Sequence, residues 1–344
     1  MEVKPIFSLL YLFSLLFPTL SLRFLTSNSN PCDPKTLANL QSLRHDQLTV
    51  LINGYSELRI PHLRAIAGAY AASPFVADVA VLWGNPSTPA ETLAALSRNL
   101  SLLYSAGAPV TVVAQGSNSL NSRFLPRRWI RTRGVVICDD DVEVDPKSVD
   151  FAFRIWQQNQ DRLIGLFARS HDLDLIRKEW IYTVHPDRYS IVLTKFMILD
   201  VKYLHFYSCG VKGLEAKFGN LRDVVDNMHN CEDILMNFVV ADISGWGPLL
   251  VGAERVRDRG DPRNEAVEGE GGEVVDPGLS GVKRSGGNHR KRRGQCIREF
   301  HKILERMSLR YSYGKDFQQE GRKKQGHARY KVISRDLHCL TFDH

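Results

Sequence analysis

The sequence predicts an α/β protein built on a mainly parallel sheet with helices on its faces, and two observations support this fold class. Short valine-rich runs alternate with longer segments of helical spacing, and strands separated by helices pair in parallel through right-handed crossovers. One run, "VVIC", leads directly into three consecutive aspartates. The 344 residues, 43% of them hydrophobic, allow one large domain or two small ones with a sizeable core.

Four apolar runs are predicted to be buried strands, because valine-rich runs that are apolar on both faces are typical of a parallel sheet. They are residues 48–53, 76–83, 109–115 and 134–141. The segments "IPHLRAIAGAYAAS" and "PAETLAALSRNLSLLYSAG", which follow the first and second runs, have helical spacing. The second of them opens with Pro89, Ala90 and Glu91, a favourable first helical turn.

The chain after the aspartates continues the alternation. A helix is predicted to begin at Asp145-Pro146, because proline is favoured in the first helical turn, and another to end at Gly245. The remaining segments are "RLIGLFAR" and "PLLVGA" as strands, "YSIVLTKFMILDVKYLHFY" as a strand followed by a helix, "CEDILMNFVVADISG" as the helix that ends at Gly245, and a helix near 296–309.

The expected organisation is one globular domain at 47–312, preceded by a polar stem at 26–46 and followed by a polar tail at 313–344. Residues 258–288 inside the domain are rich in glycine and acids. A loop of this length is typical of a functional lid or of a disordered segment.

The N-terminal segment, residues 1–25, is dominated by an almost uncharged apolar run. The run is longer than most secretory h-regions and close to the roughly 20 residues that span a bilayer. Both a cleaved signal peptide and a retained signal anchor fit this pattern, and either one delivers the rest of the chain to the secretory lumen. We therefore expect a Golgi or endoplasmic reticulum membrane protein whose main domain is lumenal.

Charge and cysteine content agree with that compartment. The formal net charge of +7 is concentrated after Lys283, which favours an anionic partner or forms a solvated basic face; nucleic acid is not expected in the lumen. The six cysteines can form disulfides there, although Cys138 and Cys209 lie in apolar runs and could equally be buried free thiols. The sequon at Asn99 is a candidate glycosylation site.

The three aspartates at the end of the fourth strand, Asp139 to Asp141, are the strongest candidate site. Ligands of open α/β sheets bind at the carboxyl ends of the strands. Crowded carboxylates repel one another unless a cation neutralises them, and Mg²⁺ and Mn²⁺ take oxygen ligands that they share with substrate phosphates. The alternative is an acidic turn or helix cap.

Several separated motifs resemble a known family. They are "LWGN" (82–85), "SNSLNSRF" (117–124), "VVICDDDVEVDPKSVDFAFRIWQQNQDRLIG", "NCEDILMNF" (230–238) and "GQCIREF" (294–300). Together they resemble the exostosin-like glycosyltransferases of family 64. The resemblance implies a GT-A fold, a divalent metal (Mn²⁺ or Mg²⁺), and sugar transfer that retains the anomeric configuration.

The resemblance also implies roles for individual residues. The residues expected at the donor nucleotide are Asn53, Arg59, Asn85, Asn118, Arg123, Asp139 and Asp140. Asp141 matches the metal ligand, Asp233 the catalytic acid and Arg293 a late catalytic arginine. The family's disulfide corresponds to Cys231 and Cys296, which would hold Asp233 near Arg293.

Some of these assignments leave alternatives. Either Asp139 or Asp140 faces the ribose. Glu232 stands where the family usually has aspartate, so either Glu232 or Asp233 faces the sugar. The basic residues that precede Arg293 could exchange roles with it; they are Arg290, Lys291 and Arg292.

The function implied is a metal-dependent retaining glycosyltransferase of the secretory pathway. Its donor would be a UDP-N-acetylhexosamine or GDP-mannose, and its acceptor a glycan or a glycosylinositol phosphorylceramide lipid, which suits a cationic face near a membrane. The rival hypothesis is a catalytically silent partner that binds nucleotide sugars or glycans and assists another transferase. A metal-dependent phosphatase or nuclease is disfavoured, because the sequence has no further clustered His or Asp ligands.

Overall fold

The computed structural model describes residues 30–33, 40–103, 107–259 and 286–317. The predictions for residues 1–25, for residues 260–285 of the acidic insertion and for the tail beyond residue 317 lie outside the described residues. Among the described helices, none combines the length and the apolar character that crossing a membrane requires.

Fourteen strands and seven α-helices are found in the described ranges. The strands are β1 (Arg44–Gly54), β2 (Val76–Trp83), β3 (Val110–Ala114), β4 (Thr132–Asp139), β5 (Val142–Val144), β6 (Ile164–Gly165), β7 (Ala168–Asp174), β8 (Glu179–Thr183), β9 (Arg188–Tyr189), β10 (Ile191–Val192), β11 (Phe196–Asp200), β12 (Leu249–Leu250), β13 (Val256–Asp258) and β14 (Ser312–Tyr313). The helices are α1 (Ile60–Ala71), α2 (Ala90–Leu103), α3 (Pro146–Gln158), α4 (Lys202–Cys209), α5 (Glu215–Met228), α6 (Glu232–Ser244) and α7 (Gly286–Leu304).

The central sheet has seven strands in the order β12-β6-β11-β4-β1-β2-β3. The four strands predicted from the valine-rich runs, β1 to β4, all pair in parallel, while β11 is antiparallel to both of its neighbours. The predicted α/β class with a mostly parallel sheet is therefore confirmed. The register places Asn53 opposite both Asp139 and Leu82, so the carboxyl ends of three strands meet at one edge.

Helices cover both faces of this sheet, which explains why its strands are apolar on both sides. On one face, α1, α2 and α3 pack on alternate strand residues such as Val50 and Val136. On the other, α4 to α7 pack on the intervening residues, such as Leu51 and Val135. Gly134 lets α3 approach the sheet closely, because a Cβ there would lie 2.8 Å from the Trp156 ring of α3.

Two predicted helix ends are confirmed by their caps. Asp145 is the N-cap of α3, and its side chain accepts a hydrogen bond from the Ser148 amide. Gly245 caps the C-terminus of α6 with a left-handed backbone, φ 77°, a conformation that costs glycine little.

The structure corrects the predictions for three later segments. "RLIGLFAR" is divided between β6 and β7, and only Leu249–Leu250 of "PLLVGA" forms a strand. The last helix, α7, begins at Gly286 rather than near 296, so the basic segment is helical. The helix has no long apolar run, but Cys296, Ile297 and Phe300 form a buried apolar face on it.

The described residues contain two disulfides, and one of them decides between two alternatives that the sequence left open. Cys231 is bonded to Cys296, as the resemblance implied. Cys209, which could have been a free thiol, is bonded to Cys32. Cys209 is the last residue of α4, and its bond ties this helix end to the N-terminal segment that contains Cys32. Cys138, on β4, is buried in the sheet and is free.

Candidate active site

The acidic strand end lies where parallel strands finish at the same edge of the sheet. Asp139 is the last residue of β4 and is opposite Asn53 near the end of β1. Asp140 is buried, while Asp139 and Asp141 are half-buried. The structure thus assembles the predicted donor site from strands that are distant in sequence.

Two arginines neutralise this acidic trio. Arg59, from the short 3₁₀ helix before α1, reaches Asp140 Oδ1 at 2.8 Å and Asp141 Oδ2 at 3.3 Å. Arg123, buried in the 3₁₀ helix 120–124, donates to Asp139 Oδ1 at 2.8 Å. Repulsion among the aspartates therefore does not by itself require a dication, because the chain supplies its own counter-charges.

The fit of a divalent metal depends on Asp141. Its Oδ1 atom is buried and has no hydrogen-bond partner, although such oxygens are costly to leave unpaired. Burial, together with the nearby carboxylates of Asp139 and Asp140, raises the pKa of Asp141 to about 7. Within the described ranges no three His, Cys, Asp or Glu side chains converge on one metal position. The oxygen ligands present would fit Mn²⁺ or Mg²⁺ if phosphate oxygens completed the set.

Arg123 connects the strand end with helix α6. The same Nη1 atom that contacts Asp139 lies 3.3 Å from Glu232 Oε1, and Thr194 Oγ1 donates to that oxygen at 3.4 Å. Burial raises the pKa of the Glu232 carboxyl, while Arg123 opposes the rise. Glu232 is therefore paired, through Arg123, with the acidic strand end.

Asp233, the next residue, is paired with Arg293 from α7. The Arg293 Nη2 atom donates to Asp233 Oδ2 at 2.5 Å, and its Nη1 atom donates to Asn230 Oδ1 at 3.0 Å. The guanidinium lies over the Tyr182 ring, 4.6 Å from its centroid. Burial works against the charge of Arg293, but the adjacent Asp233 carboxylate raises its pKa, so the arginine is charged.

Local backbone geometry brings the two carboxylates to the start of α6. Both occupy the first turn of the helix, where the positive end of the helix dipole favours acids. The preceding residue, Cys231, has φ 79°, a left-handed conformation that costs on the order of 1–3 kcal/mol for a non-glycine residue. Its bond to Cys296 of α7 holds the helix start against the segment that carries Arg293.

The basic residues before Arg293 do not share its position. Arg290 and Lys291 are exposed, and Arg292 donates to the Met228 carbonyl. Arg293 alone of this run is buried, because the helical period places it one turn before Cys296. Of the four candidates, Arg293 is the one that contacts Asp233.

The remaining predicted residues lie in loops and on a helix surface. Asn85 follows β2 and is half-buried, and its side chain accepts from the Ser87 amide at 3.0 Å. Asn118 is exposed in the loop after β3. Asn99 is exposed on α2, where the Ser101 hydroxyl of its sequon donates to the Ser97 carbonyl. Glycosylation of Asn99 stays a prediction.

Sequence reasoning did not identify three residues near the site. Tyr182 lies on the β7–β8 hairpin, which was not predicted, and Asn230 accepts a hydrogen bond from the second arm of Arg293. Lys195, which pairs with Asp258, partly opposes the rise in the pKa of Asp141. The quoted motif already included Asn230, but no spacing in the sequence pointed to Tyr182 or Lys195.

The family comparison covers both halves of this site. The model of the glycosyl transferase family 64 domain matches residues 48–320. The chain belongs to glycosyltransferase family 64. The expected resemblance is thus confirmed, and the protein is a glycosyltransferase.

Three relatives of this family 64 protein differ in how much of their length it spans. It is 53% identical to "Glycosyltransferase family protein 64 C3" of Arabidopsis thaliana over 92% of this chain and 93% of the relative. It is 34% identical to Exostosin-1 of Mus musculus over 63% of this chain and 28% of the relative. It is 29% identical to "Glucosamine inositolphosphorylceramide transferase 1" of Arabidopsis thaliana over 83% of this chain and 33% of the relative. The chain therefore spans only about a third or less of the last two.

Among solved structures, the family 64 chain has a TM-score of 0.41 and 9% identity with "GalNAc-T7 with UDP, GalNAc and Mn2+", over 57% of this chain and 40% of that one. A likeness at this level carries no argument about the site.

Proposed function

We propose that this glycosyltransferase moves a sugar from a nucleotide-sugar donor to a glycolipid acceptor of the glycosylinositol phosphorylceramide type, with retention of the anomeric configuration and with a divalent metal. The observation that carries the proposal is a run of paired charged residues: Arg123 joins Asp139 to Glu232, and the next residue of α6, Asp233, pairs with Arg293. We further propose that the sheet and its helices form a GT-A fold.

The donor end of this run offers groups suited to a nucleoside diphosphate. Asn53, Asn85 and Asn118 supply amides at the ends of neighbouring strands or in the following loops, which can bind base and ribose hydroxyls. Arg59 and Arg123 supply guanidiniums suited to phosphate oxygens. Asp141 would hold Mn²⁺ or Mg²⁺, and such an ion supplies charge stabilisation for a departing diphosphate.

The acceptor end has a buried carboxylate for the reacting sugar carbon. As the sugar–phosphate bond breaks, the sugar develops oxocarbenium character, which a nearby carboxylate stabilises. Asp233 can provide that charge, attack the carbon or orient the acceptor hydroxyl. Arg293 fixes its position, and both groups act in a buried environment where charge stabilisation is strong.

The donor and the acceptor are proposed from the charges of the site together with the names of the relatives. GDP-mannose and UDP-N-acetylhexosamines both carry the diphosphate that the arginines suit. The name of the Arabidopsis inositolphosphorylceramide relative supports an anionic sphingolipid acceptor, and the exposed Arg290 and Lys291 suit such a headgroup. We place the protein at the Golgi or endoplasmic reticulum membrane, held there by its N-terminal segment.

A silent nucleotide-sugar-binding partner is the alternative. It would need the donor groups but not a buried carboxylate paired with an arginine, since such a pair costs desolvation energy. The Asp233–Arg293 pair therefore favours catalysis over binding alone.

The test uses the full-length protein, Mn²⁺ and a panel of nucleotide sugars, with released nucleoside diphosphate as the readout. We expect release with one donor and its loss in Asp141→Ala. The matched control is Asp161→Ala, which removes an exposed aspartate paired with Lys202 near the opposite edge of the sheet and should release diphosphate at the wild-type rate. Tight donor binding without release by the wild-type protein would support the silent partner instead.

A further inference from the structure

The tip of the β7–β8 hairpin exposes two large apolar side chains. Leu175 is 78% exposed and Ile176 is 96% exposed, and Leu173 before them is also exposed. Single apolar residues on a surface are normal, but adjacent ones at the end of a projecting turn indicate a contact site. The catalytic arrangement described above makes no use of them.

Hydrogen bonds within the turn fix its backbone, so this exposure follows from the way the hairpin is built. Asp174 Oδ1 accepts hydrogen bonds from the amides of Ile176 at 3.0 Å and Arg177 at 3.1 Å. Lys178 closes the turn with φ 54°. These contacts direct Leu175 and Ile176 away from the protein.

The two charged residues that directly follow the apolar pair are cations. Arg177 and Lys178 are both exposed, and the Arg177 side chain stays 74% exposed although it lies 3.9 Å from Asp174. The adjacent acids have partners of their own: Asp174 accepts the turn amides, and the half-exposed Glu179 carboxylate lies 3.6 Å from Arg298 of α7. Apolar side chains bordered by cations match the boundary between an anionic lipid headgroup layer and its acyl chains.

We propose that this hairpin tip, residues 175–178, docks on an anionic membrane surface, with Leu175 and Ile176 inserted at the headgroup level. A protein partner would need roughly 800 Å² of surface on each side, far more than a convex turn with two exposed apolar residues offers. A fluid interface has no such requirement.

Docking at the tip would set the height of the active site above the membrane. Tyr182, which lies under Arg293, is three residues from the start of β8 at Glu179, or about 10 Å at the usual rise of a strand, and the turn lies beyond that start. This consequence rests on the proposed glycolipid acceptor, whereas the docking itself is tested without any sugar transfer.

The experiment places an environment-sensitive fluorophore on Ile176→Cys in the full-length protein, with Cys339→Ser to remove a second labelling site. The protein is studied in phosphatidylcholine bilayers with and without phosphatidylserine. The matched control carries the label at Asp161→Cys, an exposed position near the opposite edge of the sheet. We expect a blue-shifted, stronger emission at position 176 only with phosphatidylserine, reversed by high salt, and none at 161.

Two further variants keep the test decisive. Arg177→Ser with Lys178→Asn removes the charges while asparagine accepts the left-handed backbone, and should weaken the phosphatidylserine response about tenfold. Leu175→Ser in the labelled protein should reduce the shift, and both should melt as the parent does. Equal emission at position 176 in both bilayers would overturn the proposal. So would disulfide-linked dimers of unlabelled Ile176→Cys in lipid-free buffer, which would indicate that a second copy of the chain covers the tip.

Discussion

Asp233 and Arg293 form a buried ion pair 60 residues apart in sequence, with 2.5 Å between Oδ2 and Nη2. The pair brings the first turn of α6 into contact with α7. It lies one residue from Glu232, whose own arginine partner contacts the acidic strand end. The proposed donor and acceptor ends of the site thus meet at neighbouring residues of one helix.

Loss of this pair should abolish most activity. We expect Asp233→Asn or Arg293→Gln to reduce kcat by about 10²–10³-fold, the usual effect of removing one preorganised charge. The double variant should lose less than the product of both effects, because the residues act together. The control is Asp242→Asn, which breaks an ion pair with the exposed Arg306; it should lower the free energy of unfolding but leave kcat unaltered. Equal losses from control and test variants would contradict the role.

Arg123 should govern donor binding through its contacts with Asp139 and Glu232. We expect Arg123→Gln to weaken nucleoside diphosphate affinity at least about tenfold, because it removes a guanidinium from a group of carboxylates. Arg127→Gln is the control from the same loop, since the Arg127 guanidinium donates to loop atoms, namely Leu125 O, Ser122 O and Gln115 Oε1. It should lower the melting temperature but leave affinity, measured by calorimetry, unchanged.

Removal of divalent metal should stop the reaction. We expect chelation to lower diphosphate release to background and Mn²⁺ to restore it, because the partnerless Oδ1 of Asp141 is the proposed metal ligand. Calorimetric titration of Mn²⁺ in the presence of nucleotide should show binding to the wild type and none to Asp141→Asn. Activity that survives complete chelation would contradict the metal requirement.

The two disulfides should differ in what they support. Replacing either pair by serines should cost about 2–5 kcal/mol of unfolding free energy. Only the Cys231–Cys296 variant should also lose kcat in the still-folded protein, because this bond holds the Asp233 segment against α7. The Cys32–Cys209 variant is its matched control. Peptide mapping without reduction should recover both linked pairs, and equal kcat in the two variants would contradict the positioning role.

Stability should fall in mild acid because of His171. This side chain is buried and bonded to the Ser190 hydroxyl, and burial lowers its pKa to about 4. Between about pH 6.5 and 4 the unfolded chain binds a proton that the folded protein does not, so stability falls as the pH falls, by about 3 kcal/mol in total. His289, whose pKa burial also lowers to about 4, acts in the same direction. Denaturant titrations should show a shallower pH dependence in His171→Gln, and an unchanged slope would contradict this assignment.

Much of the sheet could be predicted because its determinants are local. Valine-rich runs identify β1 to β4, and caps such as Asp145 and Gly245 depend on a few adjacent residues. The β7–β8 hairpin was missed because its strands are half-exposed and mixed in polarity. The start of α7 was missed because a basic, glycine-containing segment has weak helical spacing, and packing against β8 and α5 stabilises it.

For the site, the apolar run before three aspartates was sufficient to name the acidic strand end, whereas Asp233, Arg293 and the Cys231–Cys296 bond were implied by the resemblance to family 64. Neither the run nor the resemblance could assign the remaining partners. Three pairings depend on contacts between segments far apart in sequence. Arg59 and Arg123 neutralise the aspartates, Glu232 and Asp233 pair with different arginines, and Cys209 bonds to Cys32. Local conformational preferences depend on a few adjacent residues and can be read from the sequence. Charge pairing and disulfide formation require atoms within a few ångströms of each other, and only the tertiary structure decides which distant residues come that close.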